Sequence, residues 1–356
     1  MTKTAEQELA RESSQFLQRY IPSPIAGSFA GKHIVTVDQF ERGDLRALFD
    51  ITFDYRRRVE AGDRELTSLA SGRVMATLFY EASTRTDISF QAAMRRLGGR
   101  VIGASNGVQF SSVYKGEDLA DTVRAAGCYA DVIVLRHPEV GSSYQAAFYL
   151  DQLSQQLRRR PIVISAGDGI GEHPSQALLD LFTIVDLKGG LRGNTVTMVG
   201  DLRHGRTVHS LAKLIGRLES KDVTLCFVSP PSLRMPEAIL TGLHERGVAV
   251  YETSDLREVL GASDVIYWTR VQEERFTNPA EYEAIRNDFI MTPSLLAEAK
   301  PNTILMHPLP RKHEMGSPAE RDALDLDPRA AYFRQMENGM YVRMALLASV
   351  LGLTAR

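Results

Sequence analysis

The sequence predicts an α/β protein of two doubly wound parallel-sheet domains, with the C-terminal helix packing back on the first. Three observations carry this expectation. Short apolar runs recur along the chain, as in "VMATLFY", "DVIVLR" and "TVTMVG". Stretches of helical spacing, such as "GEDLADTVRAAGCY" and "SQALLDLFTIVDLK", separate most of them. That alternation implies parallel strands joined by helical crossovers. The candidate strands are also too many for one open sheet, so two sheets are expected.

In chain order, residues 1–30 stand apart. "TAEQELARESSQFLQRY" is weakly amphipathic, with Leu9, Phe16 and Leu17 as its apolar points, and "IPSPIAG" reads as a linker. We expect a frayed helical extension there rather than a docked segment. From Gly31 strands are expected at 74–80, 100–105, 131–136, 161–166, 195–200, 223–229, 248–252, 264–269 and 303–307. The two domains should meet near "AGDGIGEHPSQ". The domain bounds are drawn at 31–174 and 175–331. The last helix, from about Tyr332, has no strand after it and completes the first domain as 332–356.

Composition sets limits on function. The 356 residues are 44% apolar and 24% charged, which suits a soluble globular chain. A net charge of -2 supplies no overall basic field for nucleic acid. No apolar run approaches a membrane span, and the N-terminus, with Glu6, Glu8 and Glu12, lacks the apolar stretch of a signal peptide. Cys128 and Cys226 lie in mostly apolar stretches and are expected as buried thiols, which suits a reducing, cytoplasmic setting.

Ligands of open α/β sheets bind beyond the carboxyl ends of the strands. Six such ends carry polar clusters: Ser83-Thr84-Arg85-Thr86, Arg136-His137-Pro138, His173-Pro174-Ser175-Gln176, Arg206, Arg270 with Gln272, and His307-Pro308-Leu309-Pro310-Arg311. Their arginines point to an anionic small molecule. In "FYEASTRTDISF" three hydroxyls and a guanidinium stand where a strand hands over to a helix. A helix N-terminus binds anions through its unpaired N–H groups and dipole, and an ordinary cap needs one hydroxyl. We therefore expect an anion site.

"GDLRHGRT" has P-loop spacing, but Arg206 replaces the lysine and "DVIYWT" offers no acidic magnesium ligand at its end. No G-x-G-x-x-G follows a strand, so a nucleotide site is not expected. His173, beside a Pro at the helix start, reads equally as a site residue or as a core or capping histidine. The histidines show no metal-ligand spacing, so no metal is expected. "SSVYKGEDLADT" is a polar loop carrying Ser111 and Lys115, before a helix expected to start near Gly116.

Taken together, "FYEASTRT", "KGEDLADT", "LRHPE", "AGDGIGEHPSQALLDLFTI", "MVGDLRHGRTVHSLAKL", "TRVQEER" and "HPLPR" resemble the transcarbamylase family, in particular its aspartate carbamoyltransferase catalytic chains. The resemblance runs from about Lys32 to the final helix. It implies a carbamoyl-phosphate domain, completed by the C-terminal helix, and an aspartate domain. It also implies transfer of the carbamoyl group of carbamoyl phosphate to L-aspartate, an early step of pyrimidine synthesis, without cofactor or metal. By the same resemblance Ser83, Thr84, Arg85 and Thr86 hold the phosphate, and Thr86, Arg136 and His173 meet the carbonyl oxygen. Gln176 and the backbone of Pro308 and Leu309 orient the carbamoyl nitrogen and the attacking amine. Arg206 and Arg270 take the two carboxylates of aspartate, with Gln272 beside them. Ser111 and Lys115 come from the neighbouring subunit of a homotrimer with shared sites, which can join larger assemblies with regulatory or other pathway chains.

The nearest alternative is an ornithine or other amino-acid carbamoyltransferase. Ornithine enzymes carry Cys in "HPCQ" and "HCLP" and an "SMG" loop; here Ser175 and Leu309 stand in those places and "SMG" is absent. Two arginines also fit a dicarboxylate better than a cation. A catalytically silent scaffold or binding protein of the same fold would be expected to lose site residues, and the matched ones are all present. Asp87 and Tyr114 depart from the family, standing where relatives usually carry Arg and Lys. "RRR" near residue 160 reads as a solvated helix end.

Overall fold

A computed structural model describes residues 13–103, 116–271 and 289–354. The chain divides into two compact units. One comprises Met1–Leu179 with Asn338–Arg356, the other Asp180–Glu337.

The first unit is built on a four-stranded parallel sheet of β1 (Val74–Phe79), β2 (Arg100–Gly103), β3 (Val132–His137) and β4 (Ile162–Asp168), in the order β2-β1-β3-β4. Its helices are α1 (residues 13–19), α2 (Arg42–Glu60), α3 (Thr84–Arg96), α4 (Leu119–Tyr129), α5 (Ser142–Ser154) and the start of α6 (Pro174–Lys188). The second unit holds β5 (Thr195–Val199), β6 (Thr224–Val228), β7 (Ala249–Thr253), β8 (Val265–Trp268) and β9 (Ile304–Met306), all parallel, in the order β7-β6-β5-β8-β9. Its helices include α7 (Arg206–Leu218), α8 (Glu237–Glu245), α9 (Arg257–Leu260), α10 (Pro293–Ala297) and α11 (Pro318–Asp325). The last helix, α12 (Tyr332–Val350), gives its residues from Asn338 onward to the first unit, so the C-terminal helix does pack back there.

Strands covered on both faces need apolar side chains throughout, and the central strands comply. Ile133, Val134 and Leu135 of β3 are fully buried, as are Ile266, Tyr267 and Trp268 of β8. The helices bury one stripe each. α2 turns Leu45, Leu48, Phe49, Thr52 and Tyr55 inward, and a reciprocal box between Glu41 and Asp44 starts it.

Four expectations change. The helix after the polar loop begins at Leu119 rather than near Gly116, because the Asp118 side chain accepts from the Asp121 N–H and caps it there. Cys128 is exposed, since α4 buries its opposite face at Leu119, Ala120, Val123 and Gly127; Cys226 is buried, and both are free thiols. "RRR" is more than a solvated end. Arg159 donates to the carbonyls of Ala130 (2.5 Å) and Gly127 (2.8 Å) at the C-terminus of α4, where a cation contributes roughly 0.3–1 kcal/mol. Arg160 pairs with Asp151 at 2.6 Å.

The fourth change concerns the N-terminal extension, which is docked rather than frayed from Ser13 onward. Phe16, 3% exposed, packs on Phe148 and Tyr149 of α5 with ring centroids 5.3 and 5.5 Å away. Burying such a side chain is worth roughly 1.5–3 kcal/mol. Tyr20 donates to Asp151 at 3.0 Å, and Asp151 also bonds His33 Nε2 at 3.2 Å. Burial works against the charged Asp151, yet His33, Arg160 and Tyr20 hold its carboxyl down at about 2. The "IPSPIAG" linker is tied down as well. Ile25 is fully buried, and Lys32 donates to the carbonyls of Pro24 and Ile25.

Candidate active site

Each sheet reverses its direction of construction at one place. From β1 the chain goes outward to β2 and then back across to β3; from β5 it goes outward to β6 and β7 and then back to β8. Crevices open beyond the strand ends at such switch points. The expected anion-binding residues lie at both.

In the first unit Phe79 pairs with Arg136 across β1 and β3, and the Tyr80 N–H donates to the Arg136 carbonyl at 2.9 Å. That register sets the Ser83–Thr86 turn beside Arg136. Ser83 is the N-cap of α3, but its hydroxyl makes no capping bond. Thr84 and Arg85 are exposed, Ser83 is half-buried and Thr86 is buried. The Arg85 guanidinium makes no hydrogen bond or ion pair to another described residue. Hydroxyls and a guanidinium at a helix N-terminus, not consumed by the cap, form an anion-binding set.

The turn is braced from behind. Ser89 Oγ donates to the Arg85 carbonyl (2.7 Å) and accepts from Arg343 Nη1 (2.6 Å), whose guanidinium stacks over Phe90 at 4.9 Å. Asp87 is taken up along the helix, where Gln91 Nε2 donates to it at 2.9 Å. Arg136 pairs with Glu81 at 3.3 Å, its side chain 15% exposed. His137, next in sequence, accepts the Glu139 N–H on Nδ1 at 3.2 Å, and burial pushes its pKa down to about 4. His173 is buried at the head of α6. Its carbonyl accepts from the Gln176 and Ala177 N–H groups, and its Nδ1 lies 3.4 Å from Ser175 Oγ. Gln176 is half-buried.

In the second unit Val199 pairs with Trp268 across β5 and β8, and the Thr269 N–H and Oγ1 both donate to the Val199 carbonyl at 2.9 Å. Gly200 makes this closeness possible. Its φ is +116°, and a Cβ there would lie 2.3 Å from the Thr269 carbonyl oxygen. Arg206, the first residue of α7, and Arg270 therefore issue from adjoining strand ends, both half-buried. Asp201, fully buried, accepts the His204 N–H at 3.0 Å and lies 3.2 Å from His204 Nδ1, which fixes the turn before Arg206.

Beyond β9, His307 organises the Pro308–Leu309 backbone. Its Nδ1 accepts the Leu309 N–H at 2.8 Å, and its Nε2 faces Glu314 at 3.1 Å, both residues being 2% exposed. Burial, aided by the charges of Arg311 and Arg270, outweighs Glu314 and lowers the imidazole pKa. Burial opposes the Glu314 charge, but His307 and the Lys312 N–H keep that carboxyl below its ordinary value. The contact is thus a neutral N–H donating to a carboxylate. Leu309 has φ +53°, and the Leu309–Pro310 peptide is cis. The His307 N–H in turn donates to Gln335 (3.1 Å), whose amide donates to Asp180 (2.6 Å), which also accepts from Tyr267 (2.6 Å).

The structure thus groups Ser83, Thr84, Arg85, Thr86 and Arg136 at one switch point, with His173 and Gln176 beyond β4, and Arg206 with Arg270 at the other, with Pro308 and Leu309 beyond β9. Ser111, Lys115 and Gln272 lie outside the described residues. Sequence reasoning missed Glu81, Asp201, Glu314, Asp180, Gln335 and Arg343. Among them Glu81 stood inside the quoted "FYEASTRT" motif and was the most findable.

Residues 32–186 match the family described as "Aspartate/ornithine carbamoyltransferase, carbamoyl-P binding domain", and residues 192–350 match its "Asp/Orn binding domain". The chain belongs to the aspartate/ornithine carbamoyltransferase family. Among carbamoyltransferase relatives, the aspartate carbamoyltransferase catalytic subunit of Thermoplasma acidophilum is 43% identical over 321 residues, covering 90% of this chain and 98% of that one. The multifunctional protein CAD of Squalus acanthias is 51% identical over 324 residues, 91% of this chain but only 14% of that protein. Among solved structures, aspartate transcarbamoylase from Trypanosoma cruzi in complex with carbamoyl phosphate and aspartate superposes with a TM-score of 0.82. It is 41% identical, covering 93% of this chain and all of that one.

Proposed function

We propose that the chain transfers the carbamoyl group of carbamoyl phosphate to the amino group of L-aspartate, giving N-carbamoyl-L-aspartate and phosphate in pyrimidine synthesis. The observation that carries this reading is the loading of the two switch points. A helix N-terminus with hydroxyls and Arg85 beside Arg136 suits a phosphate with an adjoining carbonyl, and paired arginines at 206 and 270 suit a dicarboxylate. The aspartate amine attacks the carbonyl carbon, a tetrahedral intermediate forms, and its C–O bond to phosphate breaks; the proton shed by the amine leaves on the phosphate. Ser83, Thr84, Arg85 and Thr86 hold the phosphate. Thr86, Arg136 and His173 stabilise the charge that grows on the carbonyl oxygen. Gln176 and the Pro308–Leu309 backbone orient the nitrogens, and Arg206, Arg270 and Gln272 hold aspartate.

The proposal extends to a cytoplasmic homotrimer in which Ser111 and Lys115 serve the neighbouring chain's site. Multifunctional relatives such as CAD support larger assemblies as well. No helix among the described residues is long and apolar enough to cross a membrane.

The test is turnover of carbamoyl phosphate with aspartate, without added metal or nucleotide, with ornithine in parallel. Ornithine turnover equal to that with aspartate refutes the substrate assignment. For the shared site, Lys115→Ala and Arg85→Ala chains, each nearly inactive, are dissociated and reassembled in equal amounts. About a quarter of wild-type activity should return, since each site draws its halves from different chains. Activity that stays at the sum of the two, with exchange demonstrated, refutes sharing.

A further inference from the structure

Helix α1 lies outside the family match, which begins at residue 32, yet it is seated on the loop that follows Arg136. Ser13, 3% exposed, has its hydroxyl 2.7 Å from Glu139 Oε2 and 2.8 Å from Gln145 Oε1. The Ser13 carbonyl occupies the space a side chain at 141 would need, 2.3 Å from an ideal Cβ on Gly141, whose φ is +89°. The other end of the segment is held by Phe16 on α5 and by Tyr20 on Asp151. We propose that residues 13–20 are a strap that fixes the β3–α5 loop and so positions Arg136 for carbamoyl phosphate. This deepens, and rests on, the function proposed above.

The loop is short and tied at every residue the strap touches. Glu139, held by Ser13 through its side chain, donates its N–H to His137 Nδ1. His137 gives its carbonyl to the Gly169 N–H (2.9 Å), and the Gly141 N–H donates to Asp168 at 3.2 Å. Arg136 precedes this turn directly, and its carbonyl is held by Tyr80. Two of the three restraints, from the β1 end and the β4 end, come from the region shared with the family; the strap is the third. A segment that merely covered apolar surface would need Phe16 alone. Its buried polar end instead reaches past α5 to the loop, where an unmatched hydroxyl or carboxylate is costly. Ser13, Glu139 and Gln145 act through Arg136 and are positioning residues.

The experiment uses the full chain with Ser13→Asp and Phe16→Asp together, which set carboxylates against Glu139 and into the apolar seat of α1. Amide hydrogen exchange over 137–145 should rise about tenfold or more while that of β1 and β3 stays unchanged. KM for carbamoyl phosphate should rise roughly fivefold, with aspartate KM within about twofold. Ser13→Thr, which keeps the hydroxyl, should behave as wild type. Faster loop exchange with unchanged carbamoyl-phosphate KM overturns the positioning role, and unchanged loop exchange overturns the strap itself. If the double variant does not fold, Ser13→Ala decides. About a twofold rise in both readouts supports the proposal and no change in either overturns it. An inactive wild type would refute the function instead, and the exchange arm would still decide whether the strap holds the loop.

Discussion

Substituting His307 by Asn or by Gln separates the two bonds its ring makes, and the outcomes should differ in a defined order. An Asn side chain places its carbonyl oxygen near the position of Nδ1, so it still accepts the Leu309 N–H. A Gln side chain reaches the position of Nε2 and still meets Glu314. In His307→Gln the N–H of the half-buried Leu309 loses its 2.8 Å partner, which costs at most about 1–3 kcal/mol. Leu309 also sits at φ +53°, a left-handed conformation that costs a residue with a Cβ roughly 1–2 kcal/mol and must be held by its surroundings. If some 2–3 kcal/mol must then be supplied by substrate binding, kcat/KM for aspartate falls about 30- to 160-fold. In His307→Asn the Glu314 carboxylate keeps its two bonds from the Lys312 N–H (2.9 and 3.0 Å). Stability should fall by about 1–2 kcal/mol with kcat/KM within about threefold of wild type. Steady-state kinetics with both substrates and urea unfolding of each variant provide the measurement. A Gln variant as active as the Asn variant would refute the reasoning, because the backbone at Leu309 would then not depend on Nδ1.

Arg270→Ala should raise KM for aspartate by the loss of a charge-assisted contact, about 2–4 kcal/mol or some 30- to 1,000-fold, and leave carbamoyl-phosphate affinity nearly intact; initial-rate kinetics in both substrates check this. The His137 pKa, lowered from 6.5 to about 4, makes stability pH-dependent: the unfolded chain takes up a proton that the folded chain refuses. Stability is therefore full above 6.5 and falls through the window down to about 4, by roughly 3 kcal/mol in total; His137→Asn should flatten that slope in denaturant titrations. Asp151 acts below this window, since its stabilisation is present above 3.8 and lost only toward 2. Gly200→Ala should cost about 3 kcal/mol or more, from the strained φ and the collision with Thr269, and should raise aspartate KM as the Arg206 and Arg270 strand ends part; melting curves and kinetics read both effects.

Strands and strand-end clusters were legible because parallel strands buried on both faces read as unbroken apolar runs, and the ligand groups follow them directly. All nine expected strands form, shifted by a residue or two at their described ends; positions 104–105 of the second lie outside the described residues. What escaped depends on partners distant in sequence. "RESSQFLQRY" shows only Phe16 and Leu17 as apolar, so nothing local reveals that Ser13 and Tyr20 find Glu139 and Asp151. Arg159 reads as one of three like charges until the carbonyls of Gly127 and Ala130 lie beside it. Cys128 reads as buried until the face of α4 it occupies is known. Glu81, Glu314 and Asp180 are ordinary acids in the sequence, and only the fold shows Glu81 against Arg136, Glu314 against His307, and Asp180 buried against Tyr267 and Gln335.

One device recurs at three strand ends. His137-Pro138, His173-Pro174 and His307-Pro308 follow β3, β4 and β9, and in each the imidazole turns back on the residue two positions on. The proline explains the spacing: it has no N–H to offer, so the first backbone donor within reach of Nδ1 belongs to the next residue. At Glu139 and Leu309 that donor is taken directly. At Ser175 the backbone has already entered α6, and the side-chain hydroxyl lies opposite the ring instead. An imidazole can accept only while neutral, and burial lowers the pKa of both His137 and His307. Across neutral pH these rings therefore stay acceptors and leave the cationic charge to the arginines. A lysine or arginine in place of His137 or His307 would offer donors alone and release the turns, so at these two strand ends the motif works through a neutral imidazole.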